Sequence, residues 1–198
     1  MENAIVIYGS SDSGNCLKVR WVAERLAIPF EWIETNTFNG ETRTPEFLKL
    51  NPAGQAPVVV LSDGRALAQS NAIMLHLAEG RALIPRDAYA RAKMLEWLFW
   101  EQYSHEPYIA VRIARLHYLK QREEDLDPLL LTRGNAALAR MEQQLRETPY
   151  LVGEMLTLAD IALVAYTRKA HLGGFDVASY SSVQSWIATM EGELALGS

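Results

Sequence analysis

The sequence predicts a small α/β domain followed by an all-helical domain. Two observations support this fold class: short apolar runs alternate with a helical pattern in the first part of the chain, and from Tyr89 onward the signal is helical throughout. Between these regions, residues 80–87 differ in composition and contain Pro85, which is typical of a domain boundary. We therefore expect one domain at residues 1–80 and a second at residues 88–198.

The first domain is predicted to begin with a strand, a helix and a second strand. Residues 4–8 form a β-branched, nearly continuous apolar run that stops at Gly9, as expected of a strand buried on both faces. After a polar loop, apolar positions within residues 19–26 recur at helical spacing, and Pro29 limits that helix. Residues 30–33 then predict a strand parallel to the first, because a helical crossover joins parallel neighbours.

The rest of the first domain is predicted to be two strands and a helix. Residues 58–61 form a strand that begins just after Pro57, where the missing N–H donor of a proline is tolerated. Residues 62–65 indicate a hairpin turn into a short strand at residues 66–68, and residues 69–77 predict a helix. The predicted order is therefore βαβ followed by ββα.

Helical signals in the second domain include a capping pattern. Asp127 followed by Pro128 is a good helix start, and the apolar face that follows ends before Pro149. Thr157 and Asp160 precede another apolar stripe at the spacing of a capping box, with Asp in place of the usual Glu. We therefore assign Asp160 to folding rather than to chemistry. A last apolar stripe is formed by Val183, Trp186, Ile187 and Met190.

Composition and charge argue against several functional classes. The net charge of −5 provides no broad positive field, so nucleic-acid binding is not expected. The single cysteine, Cys16, excludes an intramolecular disulfide, and the four His lack metal-site spacing, so no metal is expected. No apolar run approaches membrane-spanning length and the N-terminus lacks a signal-peptide pattern, so we expect a cytoplasmic protein without a membrane partner.

Four short motifs resemble the glutathione transferase family, in that family's order and spacing. They are residues 13–20 (SGNCLKVR), 51–57 (NPAGQAP), 69–73 (QSNAI) and 157–160 (TLAD). The resemblance covers nearly the whole chain. It implies a thioredoxin-like N-terminal domain, an all-helical C-terminal domain and glutathione as a co-substrate. Within the family, the chain is most similar to the bacterial, serine-type, theta-like members.

The resemblance assigns Ser13 the role of activating the glutathione sulfur. A free thiol of this kind has a pKa of about 8.5, so only a small fraction is thiolate at neutral pH. A hydroxyl that donates a hydrogen bond to sulfur at a helix N-terminus stabilises the anion without a general base. The alternative role for Ser13 is a helix N-cap, and Ser10 and Ser11 are nearby substitutes as the sulfur ligand.

Cys16 suggests a second mechanism, glutathione-dependent thiol–disulfide exchange, because a thiol in the first turn of a helix can have a lowered pKa. In cysteine-type relatives, however, the reactive residue lies nearer the start of the loop, and the cysteine matching Cys16 is usually a buried apolar residue. We therefore favour transfer of glutathione to a small hydrophobic electrophile, or a related peroxidase or isomerase reaction. Disulfide exchange through Cys16 and a non-catalytic binding or assembly module are the alternatives.

The segment before the third predicted strand resembles the part of the family that binds the glutathione backbone. Pro57 resembles the family's cis-proline, which exposes the backbone of Ala56 so that it pairs with the cysteinyl part of glutathione like an added strand. A proline that merely starts a strand is the alternative. Gln55 would offer its amide to the glycyl end, and Arg43 is a further candidate for the glycyl carboxylate, against the alternative of a solvated loop arginine.

The start of the third predicted helix resembles the family's γ-glutamyl site. The Ser70 hydroxyl and the free helix N–H groups could receive the γ-glutamyl carboxylate, while the Gln69 amide accepts from the ammonium group. Many bacterial and theta-like relatives have Glu where this chain has Gln69, a departure that weakens charge pairing but keeps the hydrogen bond. Asn71 is a lesser candidate at the same site.

A strongly aromatic helical segment marks the second domain. Residues 97–108 are interrupted by Pro107, which should kink or break the helix. By family position this helix also walls the cleft for the electrophile, and the resemblance implies Tyr103, Tyr108 and Arg112 as lining residues. The resemblance also implies a homodimer.

Overall fold

The computed structural model describes residues 4–196, which divide between Ala82 and Leu83 into two compact units. The elements of the first unit are β1 Ile5–Gly9, α1 Gly14–Arg25, β2 Phe30–Glu34, a 3-10 turn Glu41–Arg43, α2 Pro45–Leu50, β3 Val58–Val60, β4 Ala66–Ala68 and α3 Ser70–Ala78. The four strands form one sheet in the order β2-β1-β3-β4.

The strand directions of this sheet are those of a thioredoxin-like domain. β1 and β2 are parallel, and Gly9 pairs with Glu34 where both strands end. β3 runs antiparallel to β1, and β4 runs antiparallel to β3. The predicted order of βαβ followed by ββα is confirmed, because α1 joins the parallel pair and a tight turn joins the antiparallel one.

The predicted apolar stripe of α1 lies in the core of the first unit. Val19, Val22 and Ala23 are fully buried, and α1 packs against α3, where Ile73 and Met74 are also fully buried. The apolar positions that recur with the 3.6-residue helical period therefore lie on the face of this helix that points into the core.

Helix α2 is not among the predicted elements, although its start carries two helix signals. The Thr44 side chain caps it by accepting from the Phe47 N–H at 3.3 Å, and Pro45 occupies its first turn. Phe47 is the buried residue of this helix, and its ring meets that of Tyr8 edge-on, with a centroid separation of 6.1 Å. A helix of six residues is too short to show a period in sequence, so the pattern alone could not reveal it.

The second unit is helical. Its α-helices are α4 Ala88–Trp100, α5 Glu106–Ile113, α6 Pro128–Leu145, α7 Leu158–Thr167 and α8 Ser181–Glu193. Short 3-10 turns lie at Glu123–Asp125, Ala170–Gly173 and Val177–Ser179, and wider π-helical turns lie at Glu101–His105 and Ala114–Tyr118. This unit is the predicted all-helical domain.

Of the two outcomes expected at Pro107, a kink or a break, the break does not occur, because the chain stays helical through this residue. Pro107 sits in the first turn of α5, and the preceding residues form a π-helical turn in which the Glu106 N–H donates to the Glu101 carbonyl. A proline lacks the N–H that an α-helix needs at that place, and an adjacent wider turn accommodates the loss. The aromatic segment therefore continues from α4 into α5 without leaving the helical unit.

The core of the second unit leaves no room for a side chain at Gly134 of α6. A Cβ at that position would lie 2.3 Å from the ring of Phe175, which is itself buried in a cluster with Ile109, Ile113 and Leu138. Close packing of an aromatic ring onto the helix backbone therefore requires glycine here.

We expect Gly134→Ala to destabilise the protein, although alanine is the better helix former. The helix propensity gain is about 1 kcal/mol, whereas overpacking a rigid core costs about 1–3 kcal/mol, so the net loss should reach about 2 kcal/mol. The matched control is Gly192→Ala in α8, where nothing lies within 4 Å of the new Cβ. Urea denaturation should show a lower midpoint for the first variant and an equal or higher one for the second; equal gains in both would contradict the packing argument.

Candidate functional site

Three loops that carry predicted binding residues meet at one edge of the first unit's sheet. Tyr8 pairs with Val58, and Val58 pairs with Ala68. This register places the end of β1, the start of β3 and the end of β4 side by side. Residues 10–13, residues 55–57 and the start of α3 therefore lie at the same edge.

A direct hydrogen bond joins two of these loops. The Ser70 hydroxyl donates to the Asn15 side-chain oxygen at 3.0 Å, which connects the first turn of α3 with the first turn of α1. Sequence reasoning assigned no role to Asn15, although it lies inside the motif at residues 13–20. The helix N-termini of α1 and α3, both favourable to anions, are thus neighbours.

Ser13 is the N-cap residue of α1 by position but not by side-chain bonding. Its hydroxyl makes no capping hydrogen bond to the helix, and its side chain is half-buried at the end of the loop. The Ser13 N–H donates to the Ser10 carbonyl at 3.0 Å. The capping alternative considered for this hydroxyl is therefore not the role it has in the structure.

The other two loop serines have different partners. The Ser11 hydroxyl donates to a Glu34 oxygen at 2.7 Å, so its single proton is already committed to a carboxylate. The Ser10 side chain is buried, and its oxygen accepts from the Asp12 N–H at 3.3 Å. Of these serines, Ser13 is the one that combines a place at the helix start with partial exposure.

Cys16 is fully buried in the first turn of α1. Burial raises the pKa of its thiol above the ordinary value, and the opposing influences of the Ser13 side chain and the Ser10 backbone offset that rise only in part. A buried thiol with a raised pKa is a poor nucleophile. This placement favours the structural role over the redox role for Cys16.

The segment before β3 has the backbone shape that the family resemblance implied. The Ala56–Pro57 peptide bond is cis, with Pro57 buried and Ala56 half-buried. Buried Asn51 fixes the preceding loop, because its amide donates to the Gln55 carbonyl at 2.7 Å and its oxygen accepts from the Ala53 N–H at 3.1 Å. The Gln55 side chain is exposed. Asn51 therefore supports the loop, a role that its place in the motif at residues 51–57 did not indicate.

Arg43 reaches the same loop from the 3-10 turn. Its guanidinium donates to the Ala53 carbonyl at 3.1 Å and lies so close to Gly54 that a Cβ there would be 2.5 Å from Nη1. Gly54 also has a φ of +61°, a conformation that glycine adopts without cost. The arginine is exposed but is held against residues 53–54 instead of extending freely into solvent.

The residue before α3 has an unusual backbone. Gln69 has a φ of +71° and a ψ of 111°, outside the regions that side chains other than glycine favour. Such conformations cost about 1–3 kcal/mol and concentrate at ligand sites. The Gln69 side chain is exposed, Ser70 is buried and Asn71 is half-buried.

The candidates on the helical unit differ in how their side chains are placed. Tyr103 is 80% exposed. Tyr108 is half-buried, with the Arg133 guanidinium 5.7 Å from its ring centroid. Arg112 is 2% exposed, donates to the Gly173 carbonyl at 2.5 Å and pairs with Glu123. The Arg112 side chain is therefore committed to the interior of its own unit, in contrast to the expected lining role.

The described residues contain neither a membrane-spanning helix nor a group of possible metal ligands. Within residues 4–196, no helix combines the length and hydrophobicity needed to cross a bilayer. In the same range, no three His, Cys, Asp or Glu side chains are grouped as metal ligands would be.

Both units are similar to one family of known proteins. A model of the glutathione S-transferase N-terminal domain matches residues 12–79, and a model of the C-terminal domain matches residues 95–193. A solved glutathione S-transferase from Xanthobacter autotrophicus Py2 is 46% identical, with a TM-score of 0.90 over 95% of this chain and 93% of that one. Another from Pseudomonas fluorescens Pf-5 is 44% identical, with a TM-score of 0.92 over 94% of each chain. The disulfide-bond oxidoreductase YfcG of Escherichia coli K12 is 26% identical over 91% of this chain and 87% of its own length.

Proposed function

The chain belongs to the glutathione S-transferase family, and on that premise we propose that it binds glutathione in its first unit and transfers the thiolate to small hydrophobic electrophiles. One observation carries the proposal: the Ser13 hydroxyl lies at the start of α1, is half-buried and is not used as a helix cap. We place the protein with the serine-type, theta-like members on the same ground.

In this mechanism Ser13 lowers the pKa of the bound thiol. Its hydroxyl donates to the sulfur, and the N-terminal end of α1 adds a favourable potential for the anion. The thiol loses its proton to water, and the sulfur lone pair then forms a bond to the electrophilic carbon. Where the carbon carries a halide, the carbon–halogen bond breaks and the halide leaves with the electron pair.

The tripeptide would be held along the sheet edge by the three loops. The backbone of Ala56 pairs with the cysteinyl part, while Gln55 and Arg43 serve the glycyl end. The γ-glutamyl end lies at the start of α3, where we assign it to Gln69, Ser70 and Asn71. The unusual backbone of Gln69 supports this assignment, because strain of that size persists where a ligand site requires it.

We further propose a homodimer in the cytoplasm and a hydrophobic contact for the electrophile at Tyr103 and Tyr108. The exposed Tyr103 ring is a surface that an apolar substrate or a partner subunit could cover. Arg112 is left out of this proposal because its side chain is buried and bonded.

A second candidate function is disulfide reduction with glutathione, which the similarity to a disulfide-bond oxidoreductase favours. The burial of Cys16 makes that thiol unsuitable, so the bound glutathione thiolate would attack the disulfide itself. This step forms a mixed disulfide and releases one thiolate. A second glutathione then attacks the mixed disulfide, which yields oxidised glutathione and the second thiolate.

The Cys16→Ala variant tests whether the reactive thiol is that of Cys16 or that of bound glutathione. We expect glutathione conjugation, and any disulfide reduction, to stay within about twofold of wild type, because a buried thiol with a raised pKa takes no part. Steady-state assays with a chloronitrobenzene and with a small dialkyl disulfide measure both reactions. Selective loss of disulfide reduction in this variant would instead assign that reaction to Cys16.

Retention on immobilised glutathione followed by a chloronitrobenzene assay tests the proposed function. We expect the wild-type protein to be retained, to elute with free glutathione and to turn over the electrophile. Retention without turnover of the electrophile or of a disulfide would point to a binding or assembly module, and failure to retain would refute the proposed site.

A further inference from the structure

We propose that Glu34 is a positioning residue that clamps the loop after β1 and thereby aims the Ser13 hydroxyl at the glutathione sulfur. This inference rests on the proposed function. It assigns a role to a residue that lies outside all four family-like motifs.

The sheet register brings Glu34 to the loop. Glu34 is the last residue of β2 and pairs with Gly9, the last residue of β1. The ladder continues one step further, since the Thr35 N–H donates to the Gly9 carbonyl at 2.9 Å. The carboxylate therefore leaves the sheet at the same edge as residues 10–13.

The carboxylate holds Ser11 with both of its oxygens. The Ser11 N–H donates to Oε1 at 2.8 Å, and the Ser11 hydroxyl donates to Oε2 at 2.7 Å. Both distances are in the range of charge-assisted hydrogen bonds. Two bonds from one residue fix the orientation of the loop as well as its distance from β2.

A third donor holds the carboxylate in place. The Trp32 indole N–H donates to Oε2 of Glu34 at 2.8 Å. The indole is in turn fixed, because it packs where a Cβ of Gly9 would stand, 2.6 Å from Cη2, and the Arg20 guanidinium lies 5.5 Å from its centroid. The clamp thus rests on the sheet and on α1 together.

The protonation state suits this arrangement. The Trp32 hydrogen bond, together with those from Ser11 and the charge of Arg20, holds the pKa of Glu34 below its ordinary value. The group is therefore a carboxylate at neutral pH, which accepts hydrogen bonds and donates none. Three donors converge on it without a competing proton.

The clamp lies two residues from Ser13. The Ser13 N–H also donates to the Ser10 carbonyl at 3.0 Å, so the loop is a short closed turn between the clamp and α1. Because this turn is short, a displacement of Ser11 also displaces Ser13. A misplacement of about 1 Å at a reacting group can reduce a rate by about 10²-fold.

The sign of the effect distinguishes positioning from simple electrostatics. A negative charge near the site raises the pKa of a thiol, as the Glu34 charge does for Cys16. If charge were its main influence, removing it would lower the pKa of bound glutathione and leave turnover equal or faster. A positioning role predicts a higher pKa of bound glutathione and slower turnover, because the Ser13 hydroxyl is no longer held in hydrogen-bonding distance of the sulfur.

The test is Glu34→Gln, with Glu31→Gln as the matched control, since Glu31 is an exposed residue of the same strand. The amide of the first variant keeps one acceptor oxygen, so its NH2 group must face either the Ser11 N–H or the Ser11 hydroxyl and the Trp32 N–H. We expect kcat to fall about 10-fold at nearly constant KM for glutathione, and the pKa of the bound thiol to rise. We expect the control to match wild type in all three.

Ser11→Ala, which removes one clamp bond, guards against a folding artefact. We expect a smaller loss of kcat than in Glu34→Gln, and the double variant to lose no more than Glu34→Gln alone, because both act through one contact. Additive losses, or a lowered thiol pKa in Glu34→Gln, would overturn the positioning role while leaving the proposed function intact. A wild-type protein without glutathione turnover would overturn both.

Discussion

Ser13→Ala should reduce kcat for glutathione conjugation by roughly 10- to 150-fold while the protein still binds glutathione. A hydrogen bond to a charged group contributes about 1.5–3 kcal/mol, and each 1.36 kcal/mol is a factor of ten in rate. The loss is bounded because the N-terminal end of α1 still favours the anion after the hydroxyl is removed. KM for glutathione should change little, since the proposed contacts to the peptide lie mainly at residues 55–57 and at the start of α3.

Ser10→Ala is the comparison for this prediction. Ser10 is buried, and its oxygen accepts from the Asp12 N–H at 3.3 Å. Steady-state kinetics at saturating glutathione should separate the two variants by at least tenfold in kcat. The opposite ranking, with Ser10→Ala inactive and Ser13→Ala active, would show that Ser10 is the sulfur ligand and that Ser13 is not.

Asp160→Ala should be the most destabilising single substitution considered for this protein, with a loss of about 3–5 kcal/mol in the free energy of unfolding. The Asp160 carboxylate is completely buried and accepts hydrogen bonds from Leu151, Thr157 and Trp186 at 2.9–3.1 Å. Truncation would leave those buried donors without an acceptor. Since whole domains have only about 5–15 kcal/mol, the helical unit should lose most of its stability.

The control is Asp87→Ala, which removes an exposed helix cap. The Asp87 side chain accepts from the Ala90 N–H at 2.8 Å at the start of α4, and solvent can replace it. That change should cost about 1 kcal/mol. Urea denaturation followed by circular dichroism compares the two variants, and equal losses would show that the buried network around Asp160 contributes no more than an ordinary cap.

Strong local patterns allowed much of the fold to be predicted from sequence. The apolar run of β1, the period of α1 and the capping box of Thr157 and Asp160 each combine residue type with fixed spacing, and the structure contains all three. Helix α2 has no such period, because six residues complete fewer than two turns. The turn after Trp100 is wide because of Pro107, a response that sequence alone does not specify.

The candidate site was predictable where the family motifs cover it and not where tertiary contacts complete it. Ser13 and Ser70 lie in quoted motifs, whereas Glu34 is one acidic residue among several polar ones until the Gly9 register places it at the loop. The positive φ of Gln69 could not be predicted from sequence, because glycine is the residue that usually adopts such a conformation and glutamine rarely does. Arg112 illustrates the reverse case, since its position suggested a cleft but its long side chain turns inward to Gly173.

The central claim is that the site stabilises glutathione as a thiolate, and a pH titration of the complex by ultraviolet absorbance of the sulfur anion tests it most directly. We predict that bound glutathione ionises at least about one pH unit below the free thiol value of about 8.5. A bound thiol that titrates at or above the free value would contradict the account, even if the fold and the affinity for glutathione were as described.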